Sequence, residues 1–504
     1  MSWSDAFLDA LASGATSRRY LLRTVNCYAE PGYYAAVCSH AGMEGIRGIV
    51  SVTTRSQRLQ PATWSSSLGG FDVQVAGLDA IRHVMEHFSR GTVLELLCYM
   101  AHLPEEDGAR IGLGVMVDYS LSRGVLTVTC VDLVTATRAR MDRDSTDCNL
   151  FSDLPGVRAL TAGYTAGDAT LSFATTVGFQ RETGGSGAVM VTPTTGAPFF
   201  LTYTGKTGTT LTGVSAAGVM GTTAVNASIG NNVSFCAYLS GHPMDIARKL
   251  LTSREQSNGA YDVYPYQWGL GFNAELVDNE DTDQFRALVV ATSGTYAWAF
   301  AQLGVVDDGY AWLSDFLGRA GLFLTMRQGR VTVRCGQDPY AAGAYIEAAL
   351  HHSDLEEPVD VSGYDQDHAV EANVCRVLTS GGSLTDSTAY DAATLPATRR
   401  KDYDLSDRVS ANASAVRDGE LARLATLATR IPERLTARCA GLRAAQWTVG
   451  GGIQIADERI LTRALITRGT VDRRGIIDEV TTDWTAGRVT VGALVYPPDE
   501  EIGS

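Results

Sequence analysis

His83, Glu86 and His87 stand in the H-x-x-E-H order of inverted zinc peptidases. On a helix the two histidines would share a face and hold Zn²⁺, with Glu86 as base. That chemistry also needs a third ligand downstream and an apolar supporting helix. Here the motif reads as a short polar link between two strands, followed at once by Phe88-Ser89-Arg90-Gly91, which favours solvated surface histidines. The phrase "YTGKTG" evokes a phosphate loop, but the first glycine of G-x-x-x-x-G-K-[ST] would fall on Phe200, and the context is strand-turn-strand. His351-His352 lies near Asp354, Glu356 and Glu357 in a polar acidic loop, where adventitious metal binding is conceivable and a built site is not expected. Carboxylate pairs such as Asp307-Asp308 are too common among 56 acids to nominate for glycosidase chemistry, and no G-x-S-x-G elbow occurs. The aromatic tract Tyr261–Trp268 could offer a sugar platform, although a Trp placed like Trp268 between glycine-rich turns is more often a packing anchor. The reading assigns no catalytic residue, no cofactor site and no metal site, and expects no enzyme.

Nine cysteines (Cys27, Cys38, Cys98, Cys130, Cys148, Cys236, Cys335, Cys375, Cys439) include no C-x-x-C pair. Most sit in apolar strand-like runs, so buried free thiols and a reducing compartment are expected. With 45% hydrophobic and 19% charged residues over 504 positions, the chain can fold into several cored domains, and few charges favour large buried interfaces. A net charge of −15 argues against gripping a polyanion but not against letting one slide past. The opening stretch carries Asp5 and lacks a continuous apolar run, so no signal peptide is expected. Residues Ala287 to Val306 carry no charge, yet their Thr, Ser, Gly and Gln content reads as buried helix and turn, not a membrane span.

These candidates must be positioned by elements that are mostly strands. A short helix from Ser4 to about Ser13 precedes "RRYLLRTVNCYAE", "GIRGIVSVTTR", "LGGFDVQVAG", "GTVLELLCYM", "ARIGLGVMVDYS" and "GVLTVTCVDL", the last two forming a hairpin through "SLSRG". This is the first β domain, residues 1–150. Residues 151–241 form a Gly/Thr-rich β domain; from Thr183 to Met244 its only charged side chain is Lys206, which suits burial against neighbours. Residues 242–362 read as an α+β domain with helices starting at Pro243 and near Gly309 and a hairpin turning at Gln328-Gly329. Residues 363–504 begin with the strand "ANVCRVLTS", pass through a polar segment to about Arg408 and an amphipathic helix ending before Pro432, and close on a hairpin at Thr485-Ala486-Gly487. The fold class is mainly β with α+β parts: two tube-like β-barrel domains flanking inserted β and α+β domains.

The run "FFLTYTGKTGTTLTGVSAAGVMGTTAVNASIGNNV" resembles a segment recurrent in tail proteins of long-tailed bacteriophages, where "YTG…TTLTGV…GTTA" passes into "HP.DI...LLTS", here "HPMDIARKLLTS". "NGAYDVYPYQWGLGF" is similar to the same group. The N-terminal strand order and the closing "TTDWTAGRVTVGALVY" resemble tail hub (baseplate hub) proteins. One departure is Ser215, where relatives often carry Arg after "TGV". The resemblance implies a structural virion protein of the tail tip, assembled in the bacterial host cytoplasm. It implies a homotrimer in which each copy gives two tube-like domains, so that six line a channel continuing the tail tube. Its implied partners are a distal tail or tail tube protein, the tape measure protein and other tail-tip or fibre proteins. DNA would pass during genome ejection without specific binding. The competing readings are a tail-associated peptidoglycan hydrolase using His83, Glu86 and His87, and a host-surface binding module using Tyr261–Trp268.

Overall fold

The strand-rich pattern is realised as expected in the computed structural model, which describes residues 3–13, 17–25, 35–54, 56–61, 64–67, 69–132, 157–177, 179, 187–216, 224–252, 272, 274–293, 298–302, 309–318, 320–362, 374–379, 384–388, 402–410, 432–455 and 473–496. Among these residues the fold is mainly β with five α-helices, and no helix is long and apolar enough to cross a membrane. Successive side chains of a strand point to opposite faces. Accordingly Leu126, Val128 and Cys130 of Val125–Asp132 are buried, while Thr127 and Thr129 are only half-buried. Phe71, Val73 and Val75 of Gly70–Ala76 alternate in the same way. Tight turns carry the left-handed residues that hairpins demand: Arg123-Gly124 (φ 52° and 77°) and Gln328-Gly329 (φ 51° and 69°).

Strands from both ends of the chain enter one hydrogen-bonded network of 16 strands. Its main path runs Asp360–Ser362, Glu433–Ala440, Arg488–Tyr496, Arg473–Asp483, Ile49–Thr54, Gly70–Ala76, Val125–Asp132, Ala109–Ser122, Val93–Met100, Arg18–Thr24, Ala36–Cys38 and Ile46–Arg47. The two halves meet where Asp483 pairs with Thr53, Glu479 with Arg58 and Val480 with Gln57. Side chains bind the seam. Val52 N donates to Thr485 Oγ1 (2.7 Å), Thr54 Oγ1 donates to Thr482 O (3.0 Å), and Tyr20 OH donates to Trp484 O (2.9 Å). Trp3 packs edge-on against Trp484 with ring centroids 6.0 Å apart.

The halves are built alike, although no repeat is visible letter by letter. In each, one stretch of chain makes a parallel contact and then changes partner. Ile46–Arg47 runs parallel to Ala36–Cys38; beyond Gly48, Ile49–Thr54 pairs antiparallel with Gly70–Ala76. Gly48 bonds both ways, its N–H to Cys38 O and its carbonyl from Ala76 N, each at 2.8 Å. A Cβ there would stand 2.3 Å from Ala80 Cβ, so the switch needs glycine. In the other half Ile346–Leu350 runs parallel to Gly452–Ile455, then Leu355 and Asp360–Ser362 pair antiparallel with Glu433–Ala440.

Several expectations change. His83–His87 is not a polar link but the last turns of the helix Leu78–His87, held by buried Ala80 and Val84. The uncharged stretch after Ala287 splits between the helix Asn279–Ser293 and the strand Trp298–Gln302. The polar segment before Arg408 contains strands Leu384–Thr388 and Asp402–Ser410; backbone pairing makes them, which side-chain pattern did not reveal. With Val374–Thr379 they join, through Trp298–Gln302, the strand Asn232–Gly241, whose first half pairs with Gly187–Thr192. Cys27, Cys148, the helix expected before Pro432 and the tail after Tyr496 lie outside the described residues.

Beneath both halves lies the hairpin Leu322–Arg327 / Arg330–Cys335, whose Phe323 stacks on Trp64 at 6.0 Å. Its second strand carries Arg334, which is fully buried. Arg334 grips Asp281 with two bonds of 2.8 Å, Glu347 at 2.9 Å, and lies 4.7 Å from the Phe285 ring centroid. It also reaches the carbonyl of Thr448 (3.3 Å). Arg330 and Arg327 bind the neighbouring Asp278 at 2.9 and 3.3 Å. Burial alone would raise the Asp281 pKa; Arg334 outweighs it and holds the carboxyl below its usual range. A second, separate core unites Leu160, Phe173, Phe199, Leu201, Tyr203 and Val233 of the Gly/Thr-rich stretch.

Two outcomes follow. Arg334→Met strands Asp281 and Glu347 without their shared cation and should cost about 3–5 kcal/mol, read as a lower urea midpoint; an unchanged midpoint would contradict this role. Glu479 accepts from Ser56 (2.7 Å) and from Arg58 (2.9 Å) across the seam, and from Arg434 (2.6 Å) in its own half. Burial would raise its pKa, but these bonds win and lower it. Its contribution is therefore complete above the unfolded value of about 4.3 and disappears as pH falls below that through the folded value. Glu479→Gln should lower stability at pH 7 and flatten its decline between about pH 5 and 3; an equally steep decline in the variant would refute the assignment.

Candidate functional site

Among the described residues, the chemically suggestive side chains come together only as the pair His83 and His87. In the helix Leu78–His87 the His83 and His87 rings come within 4.5 Å of each other. Among the described residues, however, no group of three or more His, Cys, Asp or Glu could hold a metal ion. Lys206 is not aimed at a ligand: its Nζ donates to Phe179 O at 2.5 Å, from a strand-turn-strand context. His351 caps a short turn, its N–H donating to Asp354 Oδ2 (2.9 Å), and Asp354 is engaged by Arg443 at 3.3 Å. Asp307-Asp308 and Tyr261–Trp268 lie outside the described residues. Cys38, Cys98, Cys130, Cys236, Cys335 and Cys439 are buried free thiols. Burial pushes Cys98 and Cys439 up to about 12, which keeps them protonated and unreactive.

What does assemble is a sheet face. Residues directly opposite on antiparallel strands share a face, so the register can be followed from strand to strand. Asp360 pairs with Thr436, and Thr436 with Gly492. Arg438 pairs with Thr490, and Thr490 with Thr481. Across the seam Asp483 pairs with Thr53, Thr53 with Asp72, and Asp72 with Thr129. Ser51, Gln74, Thr127 and Ser120 form a second row. The wall spans eight strands, from Asp360–Ser362 to Ala109–Ser122, and both halves contribute four. Its reverse side is the core: Leu435, Val491, Val52, Val73 and Val128 are all buried. Sequence reading found each strand's alternation but not the wall, because the joining register lies between residues more than four hundred positions apart.

The face is hydroxyl-rich and mildly acidic, with Asp72, Asp360 and Asp483 on it. Threonine and serine dominate it, and Thr129 Oγ1 donates to Asp72 Oδ1 (2.9 Å). Each arginine on it has a carboxylate partner: Arg434 with Asp478 (2.8 Å), Arg438 with Glu357 (3.0 Å) and Arg488 with Glu356 (3.0 Å). Such a surface offers little counterion release to a phosphate backbone. Both outer edges of the wall are open among the described residues. Pairing of Ala109–Ser122 with Val93–Met100 stops at Val115, with Met116 bonded back to Gly91 and Thr92, leaving Val117–Ser122 bordered on one side only. At the far end Asp360–Ser362 is exposed throughout. Tyr119 and Leu121 at one edge and Val361 at the other are among the exposed large apolar side chains.

No protein-family model matches the chain, and no curated protein matches it. Solved structures do. The chain is similar to the 43 kDa tail protein of prophage MuSo2 from Shewanella oneidensis at 9% identity and TM-score 0.34, with 95% of this chain and 98% of that one covered. It is similar to a protein of the virion of a native gene transfer agent particle at 15% identity and TM-score 0.20, covering 45% of this chain and 82% of that one. It is also similar to a chain of the Francisella PdpA-VgrG complex at 8% identity and TM-score 0.35, covering 96% of this chain and 53% of that one.

Proposed function

We propose that this chain is a structural hub of a phage-type tail, three copies of which form a ring at the tail tip around a channel for DNA. One observation carries the reading: a single polar wall, backed by core, that crosses both halves of the chain and ends in two open edges. The edges differ, so copies would join head to tail, and a heterologous contact of that kind generates a closed ring when the rotation fits. Closure also removes the exposed edges, which would otherwise recruit foreign strands. The paired arginines and hydroxyl-rich surface suit a passage where a polyanion must not stick.

In this reading each half closes into a barrel. Gly48 joins the first and last strands of one, and the stretch from Ile346 to Ser362 does the same in the other. The first tube-like unit lies within residues 1–150 and the second combines 346–362 with 433–496. Between them lie the Gly/Thr-rich unit within 151–241 and the α+β unit that begins at 242, joined by the sheet that residues 374–410 enter. The neighbours would be a distal tail or tail tube protein, the tape measure protein and fibre proteins, with the virion tail tip as location. No catalytic role is assigned.

Mass photometry of the purified chain should show trimers or their multiples. Tyr119→Lys with Leu121→Lys, both at exposed positions, should shift the population to monomers without lowering the melting temperature. A wild type that stays monomeric at micromolar concentration, or a double variant that assembles unchanged, would count against the reading.

A further inference from the structure

The H-x-x-E-H phrase is left unused by the tail-hub reading, yet the structure gives it a form the sequence did not. His83 and His87 lie one turn apart on Leu78–His87, with their rings tilted by 58° and centroids 4.5 Å apart. Nε2 of His83 is withdrawn from water and has no hydrogen-bond partner. Buried polar atoms are normally satisfied, so an imidazole nitrogen left in this state beside a second imidazole points to something absent from the polypeptide itself. Glu86 and His87 are exposed, which leaves the site open to solvent on its outer side.

We propose that His83 and His87 form a two-imidazole site for one divalent transition-metal ion of the Cu²⁺, Ni²⁺ and Zn²⁺ group, with water in the remaining positions. Imidazole selects these ions over Mg²⁺ and Ca²⁺, which take oxygen ligands. With two protein ligands the site differs from that of a zinc peptidase, which needs a third, and no hydrolytic step is assigned to it. The helix that carries the pair packs on Gly70–Ala76 beside Gly48, the point where the first half changes strand partner.

Cu²⁺ is the probe, because it binds such ligands most strongly of the divalent series and reports them by electron paramagnetic resonance. The full-length chain with one equivalent of Cu²⁺ at pH 7.4 should give a spectrum with superhyperfine splitting from two nitrogens. His87→Gln, at an exposed position, should lose that pattern while retaining the wild-type melting temperature without metal. His83→Gln should lose it as well, and the double variant His351→Gln, His352→Gln should keep it. A two-nitrogen spectrum that survives in His87→Gln, one that vanishes only when His351 and His352 are replaced, or no bound Cu²⁺ at one equivalent would each overturn the proposal.

Discussion

Arg334 has no access to water, and everything beneath the sheet is arranged to make that tolerable. A guanidinium cannot shed its proton in a protein, so its burial demands fixed partners. Asp281 comes from the helix Asn279–Ser293, Glu347 from the strand that opens the second parallel contact, and the Thr448 carbonyl from the approach to Gly452–Ile455. One side chain thereby ties the middle of the chain to its C-terminal strands. Burial would lower the Arg334 pKa, but Glu347 and Asp281 more than compensate and raise it. Breaking such a node is far more damaging than never having built it, so it acts as a registration device more than as a source of net stability.

The hairpin that carries Arg334 also faces the N-terminal half. Gln328 Oε1 accepts from Trp3 N (3.2 Å), Ser66 Oγ donates to Leu324 O, and Trp64 fills the space that a side chain at Gly336 would need. The two halves are thus held by this hairpin as well as along the seam. At the seam the pairing of Asp483 with Thr53 sets the register by which polar residues continue from one half to the other. A slip of one residue at the seam would turn Val52 and Val480 outward and interrupt the wall.

Much of this was legible in the sequence because strands write their burial in alternation. "GVLTVTCVDL" and "RVTVGALVY" announce both their strands and their buried faces, and Gln328-Gly329 and Arg123-Gly124 announce their turns. The helix Pro243–Thr252 was equally plain from Pro243 and the spacing of Ile246, Leu250 and Leu251. Hidden were the features that depend on distant partners. Asp402–Ser410 looks like a polar link and is a strand only because of its neighbours. His83 and His87 looked like a loop because the helix is held by just two fully buried residues, Ala80 and Val84. The wall itself could not be read, since its seam joins Thr53 to Asp483 and no local pattern encodes that pairing.

In the proposed tail hub, copies of this chain meet edge to edge so that the hydroxyl-rich face encloses a channel. A cryo-electron microscopy map of the purified assembly tests this most directly. The expected result is a ring of three copies with eight strands of each facing a central hole, and with Thr53, Thr127 and Thr481 on the inner surface. A ring that places these threonines on its outside, or particles in which the face is covered by another part of the same chain, would contradict it.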